Sequence, residues 1–384
     1  MLNPKYPMFT EEHEMLRQAV REFVEKEVTP NVDAWEDAQA YDMAAFKKMG
    51  ELGFLGIRVP EEYGGGSSDY WSVVAVFEEL IRSGCSGFLT AVGVHMEVVI
   101  PALLGHANEE QKQKYLVSAA KGESLGALAI TEPEAGSDVA SMRTSAVEDG
   151  DSYVINGNKI FISNGARADW IIVAAKTEKD AGYAGISEFI VDTNTPGFEV
   201  SRKLDKVGLR SSDTAELFFT DMRVPKTALL GEINKGFFQI MSNFVPERLL
   251  IAIGAYGGCE LALGKAIAYA KERKQFGKPI CKFQSNAFKL VELATMVEAS
   301  KELTYRAADM YNRGLDALKE VAMAKYLTTE VAQDVTSGCM QIMGGYGYMM
   351  EYDMQRAWRD LRVQTIVGGT TEVQKLIVSR AMGL

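Results

Sequence analysis

The segment Tyr153–Trp170, YVINGNKIFISNGARADW, decides the fold class, because it interrupts a chain whose other parts show helical periodicity. Strand-forming residues occur there in two short runs, Tyr153–Ile155 and Lys159–Ile162, which are rich in β-branched and aromatic side chains. Asn156-Gly157 lies between the two runs, and an Asn-Gly pair adopts positive φ readily. The segment therefore predicts a β-hairpin whose turn is INGNK.

Further short strand-like runs follow this segment along the chain. They are Trp170–Ala175, Ser187–Asp192, Phe198–Val200 and Glu216–Val224, with Gly, Pro or Asp at their boundaries. Together with the first segment they predict a central antiparallel β domain over residues 126–234, either closed or sandwich-like.

Helical periodicity dominates on both sides of this region. On the N-terminal side, Thr10 is a candidate N-cap, and Tyr70–Ile81 and Phe88–Leu104 predict buried helices. On the C-terminal side, helices are predicted from Ala317 to Met343 and from Thr371 to Met382. The predicted fold is therefore α+β and multidomain, with a helical domain over residues 1–125, the β domain, and a helical domain over residues 235–384.

The composition restricts the class of protein. A formal net charge of −11, without a Lys/Arg stripe, disfavours binding to nucleic acid or to an anionic membrane. The four cysteines and three histidines are scattered, so we expect neither a disulfide framework nor a metal site. The longest apolar stretch, Leu249–Leu263, contains Glu260 and glycines and predicts a buried helix rather than a membrane span. We expect a soluble protein of a cytosol-like compartment.

Several well-known enzyme motifs are absent from the sequence. There is no GxGxxG after a strand, no GxxxxGK[ST], no HExxH and no Gly-x-Ser-x-Gly, so a Rossmann or P-loop nucleotide site is unsupported. Four other runs contain residue types that are unusual for packing alone. They are LAITEPEAGSDVASM (Leu128–Met142), NGNKIFISNGARADW (Asn156–Trp170), ERKQFGKPI (Glu272–Ile280) and a glycine-rich run, Gln341–Lys375.

The first and third of these runs each allow two interpretations. Small residues and hydroxyls in LAITEPEAGSDVASM let a backbone approach a ligand closely, but an ordinary capped loop has the same composition. Arg273 in ERKQFGKPI suits a phosphate, and a basic helix end explains it equally well.

In this order, the runs resemble the acyl-CoA dehydrogenase family over essentially the whole chain. TEPEAGSD, RKQFGKP, GGYGY and RDLRVQTIVGGTTEVQ carry the resemblance. One departure is Glu134, where the family often has glycine. The resemblance implies a helical N-terminal domain, a central β domain and a C-terminal four-helix bundle, assembled as a homotetramer that is a dimer of dimers.

The resemblance also implies FAD as cofactor, an acyl-CoA as substrate and an electron-transferring flavoprotein as partner. The positions expected around the flavin ring and its substrate edge are Leu128, Ile130, Thr131, Gly136, Ser137, Phe161 and Ser163. Those expected to contact the cofactor of a neighbouring subunit are Arg273, Phe276, Gln284, Gln341 and Gly345. Thr370 and Glu372 match the pair near the adenylate end of the cofactor in the same chain. Ser137, Gly93 and Arg248 are the expected substrate contacts.

The catalytic base is where this chain departs from many relatives. In those relatives a glutamate directly precedes the Gly-Thr of the last motif, but Gly368 stands at that position here. The isovaleryl and long-chain subset supplies the carboxylate from the helix after the β domain, and FVPERLLIA places Glu247 at the matching position. Alternatively, Pro246 and Glu247 form an ordinary first helical turn. We expect Glu247 to be the base and the backbone N–H of Gly368 to be an oxyanion donor.

The implied reaction is α,β-dehydrogenation of an acyl-CoA thioester to the trans-2-enoyl-CoA. An acyl-CoA oxidase, an enoyl-CoA reductase and a non-catalytic acyl-CoA-binding subunit remain alternatives on the same fold. Gly93 and Gly368 suggest room for long, branched or cyclic acyl groups, which the sequence does not rank. A bacterial cytoplasm is the expected location, with the mitochondrial matrix as the alternative for a processed protein.

Overall fold

The computed structural model describes residues 6–384, which form the three predicted regions. The N-terminal region contains eight helices. They are α1 (Glu11–Phe23), α2 (Val32–Ala38), α3 (Met43–Glu51), α4 (Tyr70–Ile81), α5 (Ser86–Val94), α6 (Ile100–His106), α7 (Glu109–Gln111) and α8 (Val117–Ala120). Thr10 caps α1 as predicted, and its side chain accepts a hydrogen bond from the His13 N–H. A π-helical turn, His95–Val99, joins α5 to α6.

The central region is an eight-stranded, mostly antiparallel sheet. Its strands are β1 (Gly126–Ala129), β2 (Ser145–Asp149), β3 (Ser152–Ser163), β4 (Trp170–Lys176), β5 (Ile186–Asp192), β6 (Phe198–Lys203), β7 (Thr214–Pro225) and β8 (Leu229–Leu230). Seven strands lie in the order β6-β7-β3-β2-β4-β5-β8, and β1 pairs in parallel with β4. The strands contribute to a common apolar core, which includes Ile155, Phe189 and Met222.

The predicted turn at INGNK is wrong, because β3 continues through Asn156-Gly157 as one strand. Gly157 has φ +149° at a register shift against β7, and a Cβ there would lie 2.4 Å from the Thr144 Oγ1. The Asn-Gly pair therefore permits a bulge and a close approach of β2 rather than a turn. The hairpin closes earlier, between Asp149 and Ser152, where Gly150 has φ +60°.

The C-terminal region is a bundle built on three long helices. Its elements are α9 (Gly236–Glu272), the small strands β9 (Lys274–Gln275) and β10 (Lys278–Pro279), α10 (Gln284–Asn312), α11 (Leu318–Met343), α12 (Gly345–Tyr348), α13 (Asp353–Arg362) and α14 (Thr371–Ala381). The shorter helices α13 and α14 pack against α11. A core of small and apolar residues holds α9, α10 and α11 together.

Helix α9 connects the β domain to the bundle and corrects a second interpretation. It begins at Gly236, so Pro246 and Glu247 lie well inside it rather than in its first turn. Its length and apolar composition, like those of Ser86–His106, would suffice to cross a membrane. Within the protein, however, 56% of the apolar window of α9 and 72% of that of Ser86–His106 are buried. Both are core helices of the fold.

Candidate active site

The carboxyl group of Glu247 lies beside the backbone of Gly368. A Cβ built on Gly368 would be 3.5 Å from the Glu247 Oε1 and only 2.4 Å from the Ile251 Cδ1. The backbone of Gly368 has φ +64°, which L side chains rarely adopt. Sterics and conformation together therefore require glycine at this position, and the space that a side chain would fill is taken by Glu247 and Ile251.

The loop that contains Gly368 is held by three side chains. The Arg248 Nε donates to the Gly368 carbonyl at 3.0 Å, and the Lys325 Nζ donates to the Gly369 carbonyl at 2.8 Å. The Gln374 Nε2 donates to both carbonyls. The Gly368 N–H itself has no acceptor within residues 6–384. The loop is fixed in place and leaves one unused donor at Gly368.

The surroundings of Glu247 shift the pKa of its carboxyl group into the neutral pH range. Burial raises its pKa to about 7, although the charges of Arg248 and Lys325 act in the opposite direction. The Glu247 Oε2 is buried and has no hydrogen-bond partner among the described residues. Burial and the charge of neighbouring Arg248 together lower the pKa of Lys325 to about 8. A carboxyl with a pKa near 7 and a free oxygen has the properties of a general base.

Lys325 and Gln374 were missed by the sequence analysis. Both are buried polar residues on helices of the bundle, α11 and α14. A lysine inside a helical pattern usually indicates a solvated face, so no local signal distinguishes Lys325. Only the fold brings these residues to the Gly368 loop.

The residues expected around a flavin ring lie on β1, on β3 and on the segment that follows β1. Leu128 lies on β1, and Ile130 and Thr131 directly follow that strand, where the Thr131 carbonyl accepts from the Ile160 N–H at 2.9 Å. This bond brings Thr131 close to Phe161, whose ring is 64% exposed although it lies within a strand. Phe161 also has φ +62°, a strained conformation for a bulky residue.

We call these residues the flavin-facing wall: Leu128, Ile130, Thr131, Phe161 and Ser163. Gly136 and Ser137 lie on the exposed loop beyond Thr131, and no atom comes within 4 Å of a Cβ built on Gly136. The wall thus offers an exposed aromatic ring, apolar side chains, hydroxyls and open space. These residues fit a planar, partly polar ring system such as an isoalloxazine.

A second group of expected residues gathers at the far end of the bundle. It consists of Arg273, Phe276, Gln284, Gln341 and Gly345, all of them exposed. The guanidinium of Arg273 lies 5.7 Å from the ring centre of Tyr346, next to Gly345, and Phe276 is 93% exposed. Arg273 follows Glu247 by 26 residues, so it lies roughly 39 Å farther along α9 at about 1.5 Å per residue. This second group therefore lies far from the Glu247 carboxyl along α9.

The remaining expected residues lie near the Gly368 loop or on the N-terminal domain. Thr370 caps α14 through its side chain, and Glu372 is exposed in the first turn of that helix. Gly93 lies on α5, where a Cβ would be 2.7 Å from the Leu250 Cδ2. Leu250 therefore fills the space beside Gly93, and this glycine allows α5 and α9 to pack closely.

One face of α9 leads from Glu247 to a narrow cavity. Glu247, Ile251, Gly254 and Gly258 recur at i, i+4, i+7 and i+11, which places them on the same face. Beside the two glycines lies a cavity of about 30 Å³. Its other walls include Leu89, Leu261, Leu361 and Gln364. The cavity is small, and apolar residues form most of its lining.

The chain is similar to known proteins along almost its whole length. Residues 10–123, 127–222 and 234–383 match the N-terminal, middle and C-terminal domains of acyl-CoA dehydrogenases. An acyl-CoA dehydrogenase of Bacillus subtilis (strain 168) is 44% identical over 372 residues, which cover 97% of this chain and 98% of that protein. The caffeyl-CoA reductase-Etf complex subunit CarC of Acetobacterium woodii is 40% identical, over 97% of this chain and 98% of that protein.

The fold is also that of solved structures. The crystal structure of an acyl-CoA dehydrogenase from Geobacillus kaustophilus superimposes with a TM-score of 0.96 at 43% identity. The match covers 98% of this chain and 100% of that structure. The domain matches, the identities and the shared fold agree with the resemblance of the motifs. The chain therefore belongs to the acyl-CoA dehydrogenase family of flavin-dependent oxidoreductases, and α,β-dehydrogenation of an acyl-CoA thioester is its reaction.

Proposed function

We propose that Glu247 is the base that removes the α-proton of the acyl-CoA and that the Gly368 N–H stabilises the enolate oxygen. The observation that supports this most directly is the 3.5 Å separation between the Glu247 Oε1 and the Cβ position of Gly368. A carboxylate at 247 thus occupies the region that a side chain at 368 would otherwise occupy. In its ionised form the unpartnered Oε2 of Glu247 can accept a proton.

The α-proton of a thioester is weakly acidic, so the developing oxyanion needs a donor that is already in place. Arg248, Lys325 and Gln374 bind the carbonyls of the Gly368–Gly369 loop, and this keeps the Gly368 N–H free and oriented. The positive charges of Arg248 and Lys325 also keep the Glu247 pKa from rising further. FAD, when bound, supplies the acceptor for the β-hydride.

We further propose that FAD contacts the flavin-facing wall and Gly136 of one subunit and the exposed bundle end of another. The roughly 39 Å between Glu247 and Arg273 along α9 supports this division, because it puts the exposed bundle end far from the proposed base of the same chain. Arg273, Phe276, Gln284, Gln341 and Gly345 would then contact the neighbour's cofactor. Thr370 and Glu372 lie near the adenylate end of the cofactor of their own chain. A homotetramer, as a dimer of dimers, supplies these contacts in pairs.

On the substrate side, Ser137 lies on the loop beside the wall and Arg248 lies next to the base. The face of α9 beyond Glu247 supports acyl groups that extend toward Gly254, whereas the space beside Gly93 is filled by Leu250. The electron acceptor is an electron-transferring flavoprotein, a type of partner that the name of the Acetobacterium woodii relative also contains. The bacterial relatives support a cytoplasmic location, with the mitochondrial matrix as the alternative for a processed protein.

The same relative supports a second candidate, reduction of an enoyl-CoA, because it is named a reductase. The reverse reaction uses the same residues, with protonated Glu247 as the acid. The ratio of the forward and reverse single-turnover rates with a flavoprotein partner separates the two directions. An oxidase would form peroxide without that partner, and a non-catalytic binding subunit would contain no flavin.

The test of the base is Glu247→Gln, which removes the proton acceptor and keeps the size of the side chain. We expect the purified variant to retain FAD and the fold but to reduce its flavin about 10³-fold more slowly with an acyl-CoA. Stopped-flow absorbance of the flavin measures this rate. Glu188→Gln is the matched control, because Glu188 is also a buried acid but lies on β5 away from the Gly368 loop. Wild-type flavin reduction in Glu247→Gln would exclude Glu247 as the base.

A further inference from the structure

A fully buried ion pair lies directly behind the flavin-facing wall. The Lys159 Nζ is 2.8 Å from the Glu132 Oε1, and the two side chains are 0% and 1% exposed. The same Nζ donates to the carbonyl of Ile130 at 2.9 Å. Lys159 belongs to β3, two residues before Phe161, whereas Ile130 belongs to the segment after β1. The ammonium group thus joins the two segments that form the wall.

Glu132 ties a third segment to the same point. Its Oε1 accepts from the Thr144 N–H at 2.9 Å, and its Oε2 accepts from the Arg143 N–H at 2.5 Å. Arg143 and Thr144 directly precede β2. The loop between Glu132 and Arg143, which contains Gly136 and Ser137, is therefore closed at its base by one carboxylate.

Stability alone does not account for an ion pair in this place. Removing two charges from water is costly, and apolar residues of similar size often serve the fold equally well. The backbone next to Lys159 is irregular, because the pairing of β3 with β7 shifts between Lys159 and Ile162. Phe161 has φ +62° within that irregular part. Such a conformation persists only where the surrounding contacts fix it.

We propose that Lys159 and Glu132 are positioning residues that set the geometry of the flavin-facing wall and thereby the affinity of the protein for FAD. They do so by fixing the Thr131–Arg143 loop and the Phe161 segment relative to each other. Neither residue is catalytic, since both lie behind the wall and are fully buried. The inference rests on the proposed function in one respect, the assignment of this wall to the flavin.

The ionisation of the pair offers a readout that packing does not. Burial lowers the pKa of Lys159 to about 8, against the raising effect of Glu132. Burial tends to raise the pKa of Glu132, but the charge and hydrogen bond of Lys159 together with the backbone donors hold it below its usual value. The charged side chain that faces Lys159 is Glu132, and the Ile130 carbonyl and the Met142 sulfur complete its surroundings. Lys159 therefore loses its proton as the pH rises through about 8, and the pair loses its attraction.

The experiment titrates apoprotein with FAD and follows the quenching of flavin fluorescence, with thermal unfolding of each apoprotein in parallel. The variants are Lys159→Met, Glu132→Gln and the apolar double variant Lys159→Met/Glu132→Leu. We expect each to bind FAD at least ten-fold more weakly, and we expect the double variant to unfold at the wild-type temperature. Wild-type protein should also bind FAD more weakly as the pH rises above 8, a trend that the double variant lacks.

Lys176→Met is the matched control, because Lys176 is a buried lysine of β4 that donates to the Gly182 carbonyl outside the wall. Its affinity for FAD should stay within two-fold of wild type. A double variant that recovers both stability and FAD affinity would show that the pair is only structural. If the single variants do not fold, a wild-type affinity that is constant between pH 7 and 9.5 overturns the proposal. Phe161→Ala distinguishes the two levels of the argument: unchanged FAD affinity in that variant contradicts the assignment of the wall itself.

Discussion

At the scale of single residues, the proposed active site rests on the contact between positions 247 and 368. Glycine at 368 has positive φ and faces Ile251, so it offers no side chain and no space for one. The acid is on the neighbouring helix instead, at a distance that lets it reach the same point. Neither residue alone points to a base, but the contact between them supports Glu247 in that role.

The first prediction concerns pH. Burial raises the pKa of Glu247 to about 7, and a base acts in its ionised form. We therefore expect kcat/KM to rise as the pH increases through about 7 and then to level off. Glu247→Asp, which keeps a carboxyl group but withdraws it from the loop, should lower the plateau and keep a sigmoidal rise. A flat profile between pH 5.5 and 8.5 would contradict this assignment.

A second prediction concerns Gly368→Ala. The new Cβ would lie 2.4 Å from Ile251 in a backbone conformation that disfavours alanine. We expect a loss of about 1–3 kcal/mol in stability and slower flavin reduction, because the loop and its N–H must move. Adding Ile251→Ala should recover the packing part of the loss only. Gly314→Ala is the control, since Gly314 has a similar φ of +67° but nothing lies within 4 Å of its Cβ position. An equal loss there would show a general effect of replacing a glycine with positive φ.

At the scale of elements, helix α9 contains the proposed base Glu247, the close contact with α5 at Gly93 and the glycines of the narrow cavity. Gly254 lies seven residues beyond Glu247, or about 10 Å along the helix. A side chain there would meet Gln364, whose Nε2 is 3.3 Å from the Cβ position. With Glu247 as the proposed base, we expect this helix face to set how far an acyl chain can extend from the reacting carbon.

The prediction for this face uses two substrates of different length. Gly254→Val should lower kcat/KM for palmitoyl-CoA about ten-fold or more and leave butyryl-CoA nearly unchanged, because only the longer chain reaches the narrowed part. Gly264→Val, on another face of α9, is the control. Equal losses for both substrates would place the acyl chain elsewhere.

Strand β5 contains an acid that makes stability depend on pH. Burial raises the pKa of Glu188 to about 8, and in the part of the chain that the structure describes neither of its carboxyl oxygens has a hydrogen-bond partner. Because the folded state holds this proton more tightly than the unfolded chain does, its stabilising contribution is present below about pH 4.5 and is lost as the pH rises toward 8.

Glu188→Gln should therefore stabilise the protein relative to wild type at pH 8 but not at pH 5. The difference grows by roughly 1.4 kcal/mol per pH unit at most. Thermal unfolding at several pH values measures it. A constant difference across this range would mean that Glu188 is ionised in the fold.

At the scale of the whole molecule, the sequence predicted the order of the three regions and the helix Tyr70–Ile81 with its observed bounds. It failed where a local signal has two structural uses. Asn156-Gly157 suits a turn or a bulge, and Pro246 with Glu247 suits a helix start or, in a long helix, an interior position. Contacts between residues far apart in the chain made the choice, as the approach of Thr144 to Gly157 shows.

The candidate site likewise contains residues that the sequence predicted and residues that it did not. Its positions were available from motifs because they lie in short, recognisable runs. The buried polar residues Lys325, Gln374 and Lys159 were not, because their partners are distant in sequence and each looks like a surface residue. The fold alone gives them their roles.

The prediction for the assembly uses two inactive variants. If Arg273 contacts the cofactor of a neighbour, mixed oligomers of Glu247→Gln and Arg273→Ala contain sites in which both residues are intact. Random mixing should restore about a quarter of the wild-type activity per site. Co-expression with two tags and steady-state assays of the mixed oligomer measure this. Activity no higher than that of the two variants alone would place Arg273 outside the neighbour's site.

The exposed end of the bundle has a consequence for how the protein is made. Phe276 is 93% exposed and Val291 is 64% exposed, and in the proposed tetramer a newly synthesised subunit presents this apolar surface to solvent until it meets its partners. Slow synthesis would then lengthen the time each subunit spends alone. The yield of soluble enzyme should depend less on the intrinsic stability of the subunit than on how soon it meets another copy.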